Sequence, residues 1–216
     1  MKFLNASIAG VLLATGLASG AALAADAPAA AAAQSEDPGK LVQAAADGML
    51  KDLEANRDAY RKDPSKVGAL VEKYLLPHFD TTYSARLVLA KHWRTASEDQ
   101  RKRFVDAFYQ SLIRNYGSAL VDFTSDRMKI FPAQVDAKAE NATVRTEIKR
   151  SDGTRIPVNY SLRKTPDGWK AYDVTIEGIS YVKSFREDFG AEIDQKGLDA
   201  VIQRIEKGST PAPGKS

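Results

Sequence analysis

The chain has 216 residues, carries 31 Lys and Arg against 28 Asp and Glu, and contains no Cys. Disulfides, thiol nucleophiles and a lipidated N-terminal Cys are excluded outright. So even a charge balance also argues against non-specific nucleic-acid binding, which needs a strongly basic face.

Lys2 gives a short basic start, Ile8 to Leu17 is apolar with small interruptions, and Ala22-Leu23-Ala24 fits a small-x-small cleavage site. Residues 1–24 therefore read as a secretory signal peptide cleaved after Ala24, since the apolar run falls short of the roughly 18 residues a span needs. The mature chain would have 216 − 24 = 192 residues and a formal charge of 30 − 28 = +2. That length suffices for one domain with a sizeable core. Residues 25–39 are Ala-rich with Pro28 and Pro38, and residues 208–216 are equally poor in large apolar side chains. Both read as disordered, leaving 40–207 as a single domain.

From Lys40 to Arg61, Leu41, Ala45, Met49, Leu53 and Tyr60 recur at helical spacing. Asp63-Pro64 reads as a cap and first-turn proline opening a second helix with Val67, Leu70, Val71 and Tyr74 on one face, ended by Pro77. Thr81 or Thr82 caps a third helix carrying Tyr83, Leu87 and Val88 inward. Ser97-Glu-Asp-Gln100 is a capping-box pattern with acids in the first turn. It opens a helix of about 20 residues, roughly 30 Å long, with Phe104, Val105, Phe108, Leu112, Ile113, Tyr116 and Leu120 in rhythm.

After Asp126 the period becomes two. Met128–Val135, Ala142–Arg150, Arg155–Lys164 and Trp169–Glu177 read as four strands, with Ser151-Asp-Gly-Thr154 and Thr165-Pro-Asp-Gly168 as turns. Val144, Thr146 and Ile148 oppose Arg145, Glu147 and Lys149; Val158, Tyr160 and Leu162 oppose Asn159, Ser161 and Arg163; Tyr172, Val174 and Ile176 oppose Asp173, Thr175 and Glu177. One wet face and one apolar face indicate helices covering a single side. Ile179–Phe189 and Lys196–Lys207 read as helices with Gly190 between them. Helices, then an antiparallel meander, then helices give the α+β class. A bent sheet with helices on its concave side forms a cone, similar to the nuclear-transport-factor-2-like fold.

Catalytic signatures are scarce. There is no Gly-x-Ser-x-Gly elbow, P-loop or dinucleotide fingerprint. His78 and His92, the only histidines, are 14 residues apart with no His three or four residues from either, a poor metal pattern. Asp173 and Asp80 are the candidates if the cone held a catalytic carboxylate, although alternation turns Asp173 away from the apolar face. Arg86, Lys91, Arg94, Arg101, Lys102 and Arg103 fall within 18 residues and form either a solvated helix surface or a docking patch for an acidic partner. Tyr83, Leu87, Phe104, Phe108, Tyr116, Val144, Ile148, Val158, Tyr160, Leu162, Tyr172, Val174, Ile176, Ile179, Val182 and Phe185 converge on one apolar space. Periodicity does not distinguish a filled interior from a hollow one.

Tyr83-Ser-Ala-Arg-Leu-Val-Leu-Ala-Lys-His-Trp-Arg-Thr95 and Gly168-Trp-Lys-Ala-Tyr-Asp-Val-Thr-Ile-Glu-Gly-Ile-Ser-Tyr-Val182, in that order, resemble the MlaC family of periplasmic phospholipid-binding proteins, also known for toluene tolerance. The resemblance runs from about Gly39 to Lys207. It implies that the apolar space is hollow, lined by those sixteen residues, and holds phospholipid acyl tails. It implies phospholipid as cargo, no other cofactor, no metal and no catalysis. The implied partners are an outer-membrane lipoprotein complex (MlaA-like) and an inner-membrane ABC transporter with a lipid-binding MCE ring (MlaD-like). The protein would act as a periplasmic monomer that keeps the outer membrane asymmetric. Two other readings stand beside this one: a periplasmic enzyme of the same cone shape acting on a small hydrophobic substrate, and a chaperone that holds protein segments.

Overall fold

In a computed structural model, residues 37–63, 65–122, 128–136, 138, 140–149 and 152–208 are described. The expected signal peptide, all of the tail beyond Gly208, and the leader up to residue 36 lie outside them. Asp37 opens the first helix, α1 (Pro38–Lys62). Its carboxylate accepts from the N–H of Gly39 at 2.8 Å and of Lys40 at 3.3 Å, with Pro38 in the first turn. Pro38 and Gly39 are thus helix, not leader, because a proline there gives up an N–H that had no partner anyway.

Helix α2 (Lys66–Tyr74) starts after Ser65, and the Asp63 carboxylate accepts from the Ser65 N–H and hydroxyl. Leu76–His78 forms a short 3₁₀ turn around Pro77. The next helix, α3 (Thr81–Leu89), is capped by Asp80 and not by either threonine, with Asp80 Oδ1 accepting from the Tyr83 N–H at 3.0 Å. A single turn, α4 (His92–Thr95), leads to α5 (Glu98–Tyr116). There the capping box is complete: Gln100 N–H donates to Ser97 Oγ at 3.1 Å and Ser97 N–H to Gln100 Oε1 at 2.9 Å. Gly117–Asp122 continues it as 3₁₀ helix.

The sheet is antiparallel. The Met128–Val135 stretch is two short strands, β1 (Met128–Ile130) and β2 (Gln134–Asp136), both paired with β3 (Asn141–Lys149). Pro132, with no N–H to give a ladder, separates them. Next come β4 (Arg155–Thr165), β5 (Gly168–Ile176) and a two-residue β6 (Ile179–Ser180), so the order is β1-β3-β4-β5-β6 with β2 beside β3. Opposite Ser161 and Leu162 the register of β5 slips by one: Ser161 faces Asp173, and Leu162 faces Ala171. This bulge leaves Tyr172 unpaired and reverses the parity of the strand. Trp169 and Ala171 point inward before it, and Val174 and Ile176 after it.

The chain closes with α6 (Tyr181–Lys196) and α7 (Leu198–Glu206). Gly190 lies inside α6, and the break falls at Gly197, whose φ of +82° is open to glycine at no steric cost.

Two apolar clusters flank the interior. At the helical end, Phe104 and Phe108 of α5 meet Phe185 and Phe189 of α6 with ring centroids 5.0 to 5.8 Å apart. Val88 and Leu89 of α3 and Val201, Ile202 and Ile205 of α7 close this cluster. At the other end, Leu41 and Val42 of α1 cover Ala142, Val144, Leu162, Trp169 and Ala171 of the sheet. Among the described residues, no helix is long and apolar enough to cross a membrane.

Candidate functional site

Between those two packed ends the sheet is not filled. A cavity of about 620 Å³ lies under its remaining half. Its floor is Ile148 of β3, Ile156, Val158 and Tyr160 of β4, and Val174 and Ile176 of β5. Its roof is Val71, Leu75, Leu76 and Phe79, then Tyr109, Leu112, Ile113, Tyr116, Gly117 and Leu120 from α5 and the 3₁₀ turn, with Tyr181 at the start of α6. Tyr109, Leu112, Ile113 and Tyr116 follow i, i+3, i+4, i+7 spacing, a second apolar stripe beside the Phe104–Phe108 stripe that faces the core. The helix is therefore apolar over two adjoining faces, one packed and one open.

Of the nineteen described lining residues only Lys149 and Asp152 bear full charge, both exposed at the β3–β4 hairpin. The tyrosines stay neutral. Burial pushes Tyr109 up to about 12 and raises Tyr116, Tyr160 and Tyr181 above the usual phenol value. A second cavity of about 110 Å³ lies between α1 and the sheet and shares Leu75, Leu120, Ile148 and Tyr160 with the larger one. His78 lines it, its pKa held below the usual imidazole value by burial and then by the nearby Lys170 charge. At about 30 Å³ for each water-sized group, 620/30 gives room for about 20 methylenes in the main cavity. Such an apolar, partly open space has the character of a site for hydrocarbon.

The sixteen residues expected to line one space separate into several environments. Tyr116, Ile148, Val158, Tyr160, Val174 and Ile176 line the cavity. Phe104, Phe108, Val182 and Phe185 are in the solid helical core, with Leu87 packed against it. Val144 and Leu162 are covered by α1. Tyr83 and Tyr172 meet edge to face at 5.2 Å, and Tyr172 shares the opposite face of the sheet with Thr143 and Ser161. The bulge turns it there, which corrects the simple alternation through β5. Ile179 is 46% exposed on β6. Val71, Leu75, Leu76, Phe79, Tyr109, Leu112, Ile113, Leu120, Ile156 and Tyr181 were not among the sixteen. The α5 stripe was visible in the spacing, while the residues around Pro77 had no periodic signal.

The two carboxylates considered for catalysis both hold structure. Asp173 accepts from Ser180 Oγ at 2.6 Å and from the Val182 N–H at 3.0 Å, tying β5 to the start of α6. Asp80 caps α3 and accepts from Arg163 at 2.6 Å, while the Arg163 guanidinium sits 4.5 Å above the Tyr83 ring. In the basic stretch, Lys91 pairs with Asp194 at 2.8 Å and Lys102 is 3.8 Å from Asp106. Arg103 makes two 3.0 Å bonds to Glu206. Arg101 donates to the Trp93 carbonyl, and Arg86 and Arg94 are exposed. His92 Nε2 is 3.5 Å from Asp194 Oδ1.

Comparison with known proteins gives a consistent result. The family described as MlaC protein matches residues 43–207. A toluene tolerance protein, ttg2D of Pseudomonas putida, is 30% identical over 165 residues, 76% of this chain and 76% of that protein. The intermembrane phospholipid transport system binding protein MlaC of Haemophilus influenzae is 24% identical over 176 residues, covering 80% and 82%. Among solved structures, a phospholipid-binding protein of Ralstonia solanacearum, determined in complex with a phospholipid, superposes with a TM-score of 0.74 at 24% identity. The match covers 80% of this chain and 96% of that one, and it establishes the shared fold.

Proposed function

We propose that this chain, which belongs to the MlaC family, is a phospholipid carrier that buries acyl tails in the 620 Å³ cavity and leaves the head group at the β3–β4 hairpin. The observation that carries the reading is the cavity wall: among the described lining residues seventeen of nineteen are uncharged, and the two charged ones, Lys149 and Asp152, are exposed. Each methylene moved out of water is worth about 0.8 kcal/mol, so about 20 of them give roughly 16 kcal/mol. Such a gain opposes spontaneous release, and unloading then requires a partner that deforms or competes with the cavity.

The wider role follows the family. Exported to the periplasm by a cleaved signal peptide as a monomer, the protein takes phospholipid between an MlaA-like outer-membrane complex and an MlaD-like MCE ring on an ABC transporter. The outer membrane thereby keeps its asymmetry. Docking to an acidic partner surface uses the exposed Arg86 and Arg94, with Lys91, Arg101 and Lys102 beside them. Such contacts govern encounter rate and salt dependence.

The test is native mass spectrometry of protein purified without detergent, followed by lipid extraction. A stoichiometric phospholipid adduct is expected. Protein that stays lipid-free even after incubation with phospholipid vesicles refutes the carrier reading.

A further inference from the structure

Four of the described lining residues are tyrosines: Tyr109, Tyr116, Tyr160 and Tyr181. Two have hydroxyl partners inside the protein, Tyr109 with Ser84 and Tyr160 with Thr146. The hydroxyls of Tyr116 and Tyr181 make no hydrogen bond among the described residues. Tyr116, the last residue of α5, and Tyr181, the first of α6, face one another with ring centroids 6.0 Å apart and planes at 67°. Both rings are half-buried, and neither phenol oxygen is sealed: among the described residues, the one enclosed side-chain polar atom without a partner is His92 Nε2. The sheet register places the start of α6 at the β3–β4 hairpin end, because Ile176 of β5 pairs with Val158 of β4 and the Glu177 N–H donates to the Pro157 carbonyl.

Hydrocarbon entering the cavity displaces water from the side of each ring that faces it, and a donor left without a partner in apolar surroundings is costly. The partner must then come from the cargo. In a diacyl phospholipid the first polar atoms above the methylenes are two ester carbonyl oxygens, which accept hydrogen bonds and carry no charge. Phosphate oxygens accept as well, but drawing a charged group between half-buried rings costs far more than leaving it in water. We propose that Tyr116 and Tyr181 each donate a hydrogen bond to an ester carbonyl of bound lipid, so that the pair selects ester-linked diacyl lipid. This rests on the carrier reading above. An ether-linked lipid with the same chains has no carbonyl there and leaves the two donors poorly matched.

The test offers the full chain, expressed with its own N-terminal segment and stripped of lipid, to vesicles. These contain equimolar diacyl and dialkyl phosphatidylcholine with chains of the same length and unsaturation. The protein is re-isolated, and both bound lipids are counted by mass spectrometry. The two lipids leave a bilayer with different ease, so the readout is the change in the bound diacyl-to-dialkyl ratio between parent and variants. Tyr116→Phe and Tyr181→Phe each remove one oxygen and keep the ring, with no hydrogen bond lost among the described residues. Each should lower the ratio about two- to ten-fold, the range of one neutral hydrogen bond, and the double variant should lower it by about four-fold or more.

A double variant that keeps the parent ratio overturns the ester site and leaves the carrier intact. So does an equal loss of both lipids, the result of a grip at the phosphate. A parent that takes up no lipid of either kind overturns both.

Discussion

The phenylalanines expected to line a single space fall instead in a solid core, and Phe185→Ala separates core from cavity. The Phe185 ring is 1% exposed and has Phe108 at 5.0 Å, Phe189 at 5.6 Å and Tyr181 at 6.1 Å between centroids. Truncating a buried Phe costs about 3–5 kcal/mol, including the void left behind. The four-ring cluster is closed on every side by α3, α5, α6 and α7, which leaves little room for collapse and favours the upper half of that range. With a urea slope of about 2 kcal/mol/M, the midpoint should fall by about 2 M. Thermal unfolding should fall by about 8–16 °C for a domain of this size. Both should be measured on lipid-free protein, since cargo adds stability by mass action. Lipid uptake per folded chain at 25 °C should be unchanged. If instead Phe185→Ala loses lipid while its urea midpoint stays within about 0.3 M of the parent, the ring touches cargo and the division between core and cavity is wrong.

The converse substitution, Ile176→Asp, puts a carboxylate on the cavity floor; lipid recovered by extraction should drop by more than about half, while the urea midpoint should fall by less than with Phe185→Ala. Asp173→Ala removes the acceptor for Ser180 Oγ and the Val182 N–H and should cost about 1–3 kcal/mol. Hydrogen exchange should locate that loss at residues 181–183, and an unchanged exchange pattern there would rule out the anchoring role. For Glu192, burial alone pushes the carboxyl up, but hydrogen bonds and charge from Arg204 and Lys196 outweigh it and hold the native pKa below the ordinary 4.5. Its contribution is therefore full above 4.5 and is lost as pH falls through the lowered native value. The stability gap between the parent and Glu192→Gln should be constant near neutrality and close below 4.5, and a gap that widens in acid would contradict the assignment. Asp80→Ala removes the α3 cap and leaves Arg163 without its 2.6 Å partner, for an expected loss of about 1–2 kcal/mol in urea unfolding.

Much of the fold was legible because local rules agreed with the tertiary result. The Ser97–Gln100 box, the two hairpin turns and the period-two runs gave α5 and the β3–β5 meander to within a residue or two. Helix starts were less legible where two residue types compete for one role, as at Asp80 beside Thr81 and Thr82. There a carboxylate that also holds Arg163 takes the cap. The cavity was legible as a sheet face but not as a roof. Alternation finds Val158, Tyr160, Val174 and Ile176 because every second residue shares a face. It says nothing about whether α5 turns its Phe104–Phe108 stripe or its Tyr109–Tyr116 stripe toward them. That choice depends on where α6 and α7 pack, which no spacing within α5 encodes. Nor did alternation reveal the missing contact above Val174, because an absence of neighbours leaves no mark on a chain.

The slip at Tyr172 has a bearing on how such a container arises. Before it, β5 supplies Trp169 and Ala171 to the part of the sheet that α1 covers. After it, the strand supplies Val174 and Ile176 to the hollow part. The same extra residue frees Asp173 to hold the start of α6, and with it Tyr181, at the cavity roof. A single added position thus separates the filled part of the strand from the empty part and fixes a helix over the latter. The slip sets both the face that β5 turns to the interior and the anchor of the α6 start, so wall and roof are coupled through one position.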